Sequence, residues 1–246
     1  MRIGILGDIH SNLEALSAVV LEMRKERIDE WVQVGDIVGY GPDPTACIDV
    51  VRDLKCTVSM GNHDAAVLGI LDTAYFNNFA RAAILWTRGK IRPSDFDFLR
   101  ALPLVVARTD YTVVHGTLNL PDQFGYVLSP LEAKDSIALQ KTFLCVIGHS
   151  HVPAIYCQGK DPDQPLEIAY PAEIEISLEP FSKVLMNVGS VGQPRDRDPR
   201  AAYAVYDTKT MICAIKRVEY DIAAVQRKIR KAGLPELLAD RLSLGV

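Results

Sequence analysis

All five histidines of the chain stand within three residues of a glycine, aspartate or asparagine, and each closely follows a short apolar run. They fall in four motifs: G-D-I-H ending at His10, G-N-H-D around His63, V-V-H-G around His115, and G-H-S-H with His149 and His151. Asp36 takes the equivalent place in V-G-D, after a further apolar run. Imidazole and carboxylate groups together are ligands for borderline divalent metals.

Taken singly, each motif is more typical of a structural histidine or a turn than of a functional site. Together they place every histidine of the chain at the end of a predicted strand, which scattered structural histidines would not do. Ligand-binding sites of open α/β sheets are built at strand ends. The joint pattern therefore predicts one shared metal centre.

The number of candidate ligands exceeds what a single ion takes. The seven candidates are Asp8, His10, Asp36, Asn62, His115, His149 and His151. If Asp36 bridges, two ions receive four protein ligands each, and water and substrate complete the coordination. The residual positive charge favours an anionic substrate such as a phosphate ester, and two ions about 3.5–4 Å apart suit an in-line displacement. No cysteine lies in these motifs, which argues against a structural zinc site.

Strands and helices alternate in the first part of the chain. Strands are predicted over residues 2–6, 31–34 and 56–59, and helices over 13–27 and 44–54. This alternation is typical of a parallel sheet flanked by helices. Two further helices are predicted over residues 75–90 and 94–102.

Strands dominate the rest of the chain. They are predicted over residues 104–107, 111–115, 143–147, 154–156, 166–169, 183–188, 202–206 and 211–218, with helices over 129–140, 221–231 and 235–242. The sequence predicts an α/β fold, a four-layer α-β-β-α sandwich of two stacked mixed sheets flanked by helices. We expect residues 1–246 to form a single domain.

The composition is that of an ordinary soluble protein, with 48% hydrophobic and 24% charged residues. A formal net charge of −4 argues against a dedicated nucleic-acid binder. The five cysteines form no C-x-x-C motif and are interpreted as buried thiols in a reducing cytosol. We find no secretory signal and no apolar run long enough to span a membrane, so we expect a cytoplasmic protein that does not bind membranes. The sequence does not predict its oligomeric state.

The motifs resemble those of the calcineurin-like metallophosphoesterase superfamily. They are D-x-H, G-D-x-x-x-x-G, G-N-H-D, H-G and G-H-x-H, and they occur in the family's order between Asp8 and His151. The later stretch N-V-G-S, from Asn187 to Ser190, is similar to the N-P-G-S loop of small bacterial members. The resemblance covers most of the chain and agrees with the two-sheet fold predicted above.

The resemblance implies a role for each motif residue. Asp8, His10 and His151 would hold one metal ion, and Asn62, His115 and His149 the other, with Asp36 bridging. His63 would face the scissile phosphate, and either protonate the leaving oxygen or stabilise charge there. Asp64 would orient His63 through a hydrogen bond. The ions are expected to be divalent transition metals, with Mn, Fe, Co, Ni and Zn left open.

The chain departs from two subfamilies at one place. Protein phosphatases and diadenosine tetraphosphatases read G-D-x-x-D-R-G, whereas Gly39 and Tyr40 replace the D-R pair here. A ligand tyrosine of purple acid phosphatases would fall at Gly39, one residue before Tyr40. A phenol brings no positive charge but offers a flat face to a second ester substituent. Tyr40 is therefore predicted to bind substrate, as are Asn62 and Arg195, the latter from the loop 189–200.

The expected function is hydrolysis of a small phosphate ester, most simply a phosphodiester. A hydroxide activated by the two ions would attack in line, and His63 would assist the leaving group. Three alternatives stay open: a non-catalytic scaffold of the same fold, a protein or nucleotide phosphomonoesterase, and a nuclease. The seven ligands and His63 argue against the scaffold, and the acidic balance argues against the nuclease.

Overall fold

The computed structural model describes residues 1–246 and contains twelve strands and eight helices. The strands are β1 (Arg2–Leu6), β2 (Glu30–Gln33), β3 (Thr57–Val58), β4 (Val105–Ala107), β5 (Tyr111–Val114), β6 (Leu144–Ile147), β7 (Ala154–Gln158), β8 (Glu167–Ala169), β9 (Ile174–Ser177), β10 (Lys183–Asn187), β11 (Ala201–Asp207) and β12 (Ile212–Val218). The helices are α1 (Leu13–Lys25), α2 (Pro44–Asp53), α3 (Asn62–Leu68), α4 (Asn78–Arg88), α5 (Pro93–Arg100), α6 (Pro130–Leu139), α7 (Ile222–Lys231) and α8 (Glu236–Asp240). None of the helices is long and apolar enough to cross a lipid bilayer.

The strands form two mixed sheets of six. Sheet A has the order β3-β2-β1-β11-β12-β9, and sheet B has the order β4-β5-β6-β10-β7-β8. In sheet A the strands β1, β2 and β3 are parallel neighbours, and in sheet B so are β5, β6 and β10. Their carboxyl ends therefore gather at one edge of each sheet, where the histidine motifs follow them.

The two sheets stack face to face, with helices on the outside. Their shared core contains Ile3 and Ile5 from β1 and Val146 and Met186 from sheet B, all buried. A second core lies between sheet A and helices α1 to α5, and a third lies between sheet B and α6. The predicted α-β-β-α sandwich is confirmed.

Most element bounds agree with the sequence within two residues, and three regions differ. The helix predicted over 75–90 begins only at Asn78, because the Asn77 side chain caps it by accepting from the amides of Phe79 (3.1 Å) and Ala80 (2.9 Å). Helix α3 and the edge strand β9 were not predicted. Residues Ile174 and Ile176 of β9 alternate with exposed polar residues, which is a signal for a half-buried strand.

Helices α7 and α8, near the C-terminal end of the sequence, pack against residues from its first third. Val225 and Ile229 of α7 and Leu238 of α8 pack in one buried cluster with Ala83 of α4 and with Tyr40. A 3-10 turn, Arg241–Ser243, follows α8 directly. This packing brings the last residues of the chain to the side of the metal-ligand motifs.

Candidate metal centre and cleft

The candidate ligands converge from both sheets. Asp8 follows β1, Asp36 follows β2, and Asn62 is the first residue of α3 after β3. His115 follows β5, and His149 follows β6. The four ligands Asp8, His10, Asp36 and His151 form one group whose ligand atoms lie within 4.8 Å of one another, and Asp36, His115 and His149 form another.

In the first group, the unprotonated ring nitrogens of two imidazoles face each other. His10 donates from Nδ1 to the carbonyl of Val38 (3.1 Å), and His151 donates from Nδ1 to the carbonyl of Gln193 (2.6 Å). These bonds leave a lone pair on each Nε2, and the two Nε2 atoms are 3.0 Å apart. Two imidazole nitrogens that share one ion at about 2.0–2.1 Å stand about 3 Å apart. The pair therefore fits a cation between the rings.

The second group repeats this arrangement. His115 donates from Nδ1 to the carbonyl of Val34 (2.9 Å), which leaves Nε2 as the nitrogen that carries a proton or, once deprotonated, binds a metal ion. Nε2 lies 3.1 Å from Nδ1 of His149 and 3.0 Å from Oδ1 of Asn62. These three atoms can all act as acceptors, which is the donor set of a metal site.

Asp36 lies between the two groups. Its Oδ2 is 3.5 Å from Nε2 of His10 and 3.4 Å from Nε2 of His115. Asp8 belongs to the first group, with Oδ1 3.5 Å from Nε2 of His151. One oxygen of Asp36 could therefore reach an ion in either group.

The buried charges need positive compensation. Burial raises the pKa of Asp8 to about 7, and the charge of Asp36 adds to this effect. For Asp36, His115 and His63 outweigh the effect of burial and hold the pKa well below its ordinary value. Burial would lower the pKa of His115, but Asp36 raises it to about 9. In the metal-free protein a proton on His115 thus balances Asp36, and a divalent cation would supply that charge and keep both carboxylates ionised.

Five of the site residues have left-handed backbone conformations. The φ angles are 48° for His10, 58° for Asp36, 57° for Tyr40, 69° for His149 and 62° for His151. Each such non-glycine residue costs about 1–3 kcal/mol where the conformation is strained. The surrounding hydrogen bonds maintain these conformations, which turn the side chains inward at the strand ends.

The loop after β10 supports the centre from behind. The hydroxyl of Ser190 donates to the carbonyl of Asp8 (2.7 Å), and the amide of Gly192 donates to the same carbonyl (2.9 Å). Asn187 donates from Nδ2 to the carbonyl of Gly148 (2.5 Å), beside His149. The sequence marked this loop by its similarity to N-P-G-S but did not predict that its backbone fixes the ligands.

The side chain of His63 lines the cleft and makes no hydrogen bond to another protein group. Its Nδ1 is buried and makes no hydrogen bond, which leaves Nε2 as the ring nitrogen that can meet a substrate. A Cβ on Gly39, whose φ is 92°, would lie 2.4 Å from this Nδ1, so only glycine fits there. Burial, reinforced by the charge of Arg195, lowers the pKa of His63 to about 4. The imidazole is therefore neutral at pH 7 in the metal-free protein.

The expected hydrogen bond between Asp64 and His63 is absent, and this prediction was wrong. Asp64 instead accepts from the backbone amides of Asp36 (2.8 Å), Gly61 (3.1 Å) and Val38 (3.2 Å). Adjacent residues on a helix do not face each other, so the two side chains at the start of α3 point in different directions. Asp64 fixes the turn that carries Asp36. Gly61 is required there because a Cβ would lie 2.2 Å from the Asp36 carboxylate.

Tyr40 is largely buried beside the centre, although part of it lines the cleft. Its ring centroid is 4.4 Å from that of His63 and 4.6 Å from that of His10. The guanidinium of Arg195 lies 5.7 Å from the ring centroid, and Nη2 of Arg195 donates to the Tyr40 hydroxyl (3.4 Å). The position that carries an arginine in other subfamilies thus adjoins an arginine from a different loop.

The centre opens into a cleft of about 730 Å³. Its walls include Tyr40, Asn62, His63 and Arg195, which the sequence singled out, and side chains that the sequence did not single out. The latter include Phe76, Phe124, Tyr126 and Arg241. Tyr126 stacks on His149 with ring centroids 3.8 Å apart. No local motif identifies these residues, because distant turns bring them together.

Comparison with known proteins gives a consistent result. Residues 1–211 match the family model of the calcineurin-like phosphoesterase superfamily domain. A protein of Methanocaldococcus jannaschii named Uncharacterized protein MJ0912 is 39% identical over 247 residues, covering 99% of this chain and 98% of that protein. The symmetrical bis(5′-nucleosyl)-tetraphosphatase of Chromohalobacter salexigens is 29% identical over 136 residues, 48% of this chain and 44% of that protein.

Solved structures agree with the fold. The crystal structure of a metallophosphoesterase from Sphaerobacter thermophilus has a TM-score of 0.88 and 38% identity, covering 100% of this chain and 99% of that chain. The hypothetical protein PH1004 from Pyrococcus horikoshii OT3 has a TM-score of 0.80 at 20% identity, covering 100% of this chain and 98% of that chain, and shows likeness of fold alone.

Proposed function

The chain belongs to the calcineurin-like phosphoesterase superfamily, a family of phosphoric ester hydrolases, and from the site we propose that it is a two-metal phosphodiesterase. One observation carries the proposal. Two sets of facing lone pairs, His10 with His151 and His115 with His149, flank the shared carboxylate of Asp36 beside an open cleft. A purely structural histidine cluster would need neither the facing lone pairs nor the cleft.

Each of the two groups of candidate ligands would hold one metal ion. Asp8, His10 and His151 would hold one divalent ion and Asn62, His115 and His149 the other, with Asp36 serving both. Two such ions supply Lewis-acid activation of water and of the phosphoryl oxygens, which suits in-line displacement.

The remaining site residues would act on the substrate directly. His63 would meet the leaving oxygen through Nε2–H, as a hydrogen-bond donor that stabilises the developing charge, because its neutral imidazole has no acidic proton to transfer. Arg195, held by the Tyr40 hydroxyl and by Oε1 of Gln193 (2.9 Å), is placed to bind an anionic group of the substrate in the cleft. Asn62 also lines the cleft, so that it would contact the substrate as well as hold the second ion.

A diester suits the walls of the cleft. Phe76, Phe124 and Tyr126 give it an apolar side that can bury a second ester substituent, a part that the sequence assigned to Tyr40. A monoester has no such substituent to bury. The preference for diesters therefore rests on this wall and no longer on an open tyrosine face.

Phosphomonoester hydrolysis is a second candidate, and Arg195 favours it. The guanidinium beside Tyr40 supplies positive charge close to where G-D-x-x-D-R-G enzymes have theirs, and a monoester dianion benefits from it more than a diester does. The similarity of about half of the chain to a bis(5′-nucleosyl)-tetraphosphatase makes nucleotide polyphosphates a third substrate group to test.

One assay separates these candidates. Purified protein is stripped with chelator and reloaded with Mn, Fe, Co, Ni or Zn. Values of kcat/KM are then compared for bis-p-nitrophenyl phosphate and p-nitrophenyl phosphate at one pH. We expect metal-dependent hydrolysis with the higher value for the diester, and a higher value for the monoester would refute the preference.

The same preparation distinguishes a small-ester hydrolase from a scaffold and from a nuclease. A non-catalytic scaffold would hydrolyse neither ester with any metal, and His63→Ala would then behave as the wild type. A nuclease would cut DNA in a chelator-sensitive reaction with kcat/KM above that for the chromogenic diester. The net charge of −4 and the small cleft favour small esters over nucleic acid.

A further inference from the structure

Two arginines line the cleft without an aspartate or glutamate partner. Arg195 hydrogen-bonds only to uncharged oxygens, those of Gln193 (2.9 Å) and Tyr40 (3.4 Å), and its buried Nε has no partner. Arg241, from the turn after α8, donates through Nε to an oxygen of Val246 (2.5 Å), the last residue of the sequence, which leaves its two terminal nitrogens for a ligand. The terminal nitrogens of Arg241 have no hydrogen bond to another side chain.

Two buried or half-buried arginines near Arg195 do have acidic partners, whereas Arg197 has none but is exposed to solvent. Arg200 donates to Asp198 (2.7 Å), and the buried Arg217 forms an ion pair with Asp196. The acidic residues of the same loop thus form ion pairs with arginines that do not line the cleft. Arg195 lacks an acidic partner even though Asp196 is its neighbour in sequence.

The two cationic groups repel each other. Burial, together with the positive charge of Arg195, lowers the pKa of Arg241 below its ordinary value. Of the two acidic residues that line the cleft, Asp36 belongs to the metal centre and Asp122 is exposed and forms no ion pair. Uncompensated guanidinium groups at a partly buried site are stabilised by a bound anion.

The metal centre does not need this extra charge for a diester. Two divalent ions with the Asp8 and Asp36 carboxylates sum to two positive charges. An attacking hydroxide and a diester monoanion bring two negative charges. The positive charges of Arg195 and Arg241 thus match a further dianion.

We propose that Arg195 and Arg241 form a subsite for a second phosphate of the substrate, distinct from the ester that is hydrolysed. The substrate is then a phosphodiester whose retained substituent carries a terminal phosphate monoester. Two forked guanidinium groups bind the oxygens of such a dianion in pairs. This inference rests on the proposed function for the reaction but not for the binding of the anion.

Phosphate binding is measured first, without metals. The chelator-stripped protein is titrated with inorganic phosphate at pH 8, where phosphate is a dianion, and the dissociation constant is read by calorimetry or ³¹P NMR. Arg241→Gln is compared with Arg197→Gln, which removes an exposed arginine that lines no part of the cleft. We expect Arg241→Gln to weaken phosphate binding about tenfold or more, Arg241→Lys to lose less, and Arg197→Gln to match the wild type.

Equal affinities for the wild type, Arg241→Gln and Arg197→Gln would overturn the subsite. The thermal unfolding midpoint of each variant is recorded beside the affinity. If Arg241→Gln fails to fold, Arg241→Lys decides the matter, because it keeps the charge and loses the fork. An affinity of Arg241→Lys equal to that of the wild type would then count against paired binding by the guanidinium.

A substrate pair tests the reaction. Thymidine 5′-(p-nitrophenyl phosphate) and its 3′-phosphorylated form differ by one phosphate, and kcat/KM is measured for both in the metal-loaded protein. We expect the 3′-phosphate to raise kcat/KM about tenfold in the wild type, and the ratio to collapse in Arg241→Gln but not in Arg197→Gln. A wild-type ratio of one would refute the substrate class.

The two proposals fail separately. If both thymidine diesters are hydrolysed equally and metal-free protein does not bind phosphate, the phosphodiesterase proposal stands and the subsite falls. If phosphate binds through Arg241 and no ester is hydrolysed with any metal, the subsite stands and the phosphodiesterase proposal falls.

Discussion

Replacing Asp36 by asparagine should weaken metal binding at both groups of ligands. The substitution keeps the size of the side chain and an oxygen that can accept from the amide of His63, a bond of 2.8 Å in the native protein. It removes the negative charge and replaces one oxygen with an NH₂ group, which repels a cation. The turn before α3 should therefore persist while the shared ligand is lost.

The size of the effect follows from the shared position. The oxygen Oδ2 lies 3.5 Å from Nε2 of His10 and 3.4 Å from Nε2 of His115, so each group loses one ligand of four. Removing a group that only supports a ligand costs about 10–100-fold in affinity. Loss of an anionic ligand itself should cost about 100-fold or more for each ion, or about 2.7 kcal/mol per ion.

The assay is a titration of chelator-stripped protein with Mn or Zn, followed by calorimetry and by elemental analysis after gel filtration. Asp8→Asn is the matched control, because Asp8 belongs to the first group alone. We expect two bound ions in the wild type, one weakened ion in Asp8→Asn and two weakened ions in Asp36→Asn. Wild-type affinity for either ion in Asp36→Asn would refute the bridging role.

The remaining predictions concern His63, Arg195 and Asp95. His63→Ala should keep both ions and lose about 10²–10⁴ in kcat, less for esters of p-nitrophenol, which is a good leaving group; loss of metal would contradict the role. Arg195→Ala should raise KM for the 3′-phosphorylated thymidine diester more than it lowers kcat, and unchanged kinetics would return the loop to a surface role. Asp95→Asn should lower the free energy of unfolding by about 2–4 kcal/mol, measured by urea denaturation, because this buried carboxylate accepts from Arg92 (2.9 Å), Arg52 (3.4 Å) and Thr45 (3.1 Å). Burial would raise the Asp95 pKa, but the hydrogen bonds from Arg92 and Thr45 lower it. The contribution of Asp95 to the free energy of unfolding should therefore be complete above about pH 4 and disappear as pH falls through the lowered pKa. An Asp95→Asn variant that is equally destabilised at about pH 3 and pH 7 would contradict this.

The convergence of the candidate ligand residues and the layer order could be predicted from sequence because both follow from local patterns. Apolar runs with period two or with strand–helix alternation predicted two sheets, and the histidine motifs fell at strand ends. In parallel strands the carboxyl ends meet at one edge, so Asp8 and Asp36 had to lie close together. Short elements were the failures: β9 has four residues, and α3 starts inside the G-N-H-D motif.

Side-chain direction and contacts from distant turns could not be predicted in this way. The sequence places Asp64 next to His63, but the helix directs them apart and gives Asp64 three backbone partners. It shows Tyr40 in an arginine's place, but the fold covers that ring with His63 and Arg195.

The sequence alone determined the metal-binding chemistry of this protein, because ligand types and strand ends are local properties. The tertiary structure decided which groups face the substrate. Arg241 shows the difference most plainly, since it lies 205 positions after Asp36 and no motif surrounds it. It reaches the cleft only because Val225, Ile229 and Leu238 pack α7 and α8 against Tyr40 and α4. Burial of apolar surface between segments distant in sequence placed this charge, and no spacing rule along the chain records such packing.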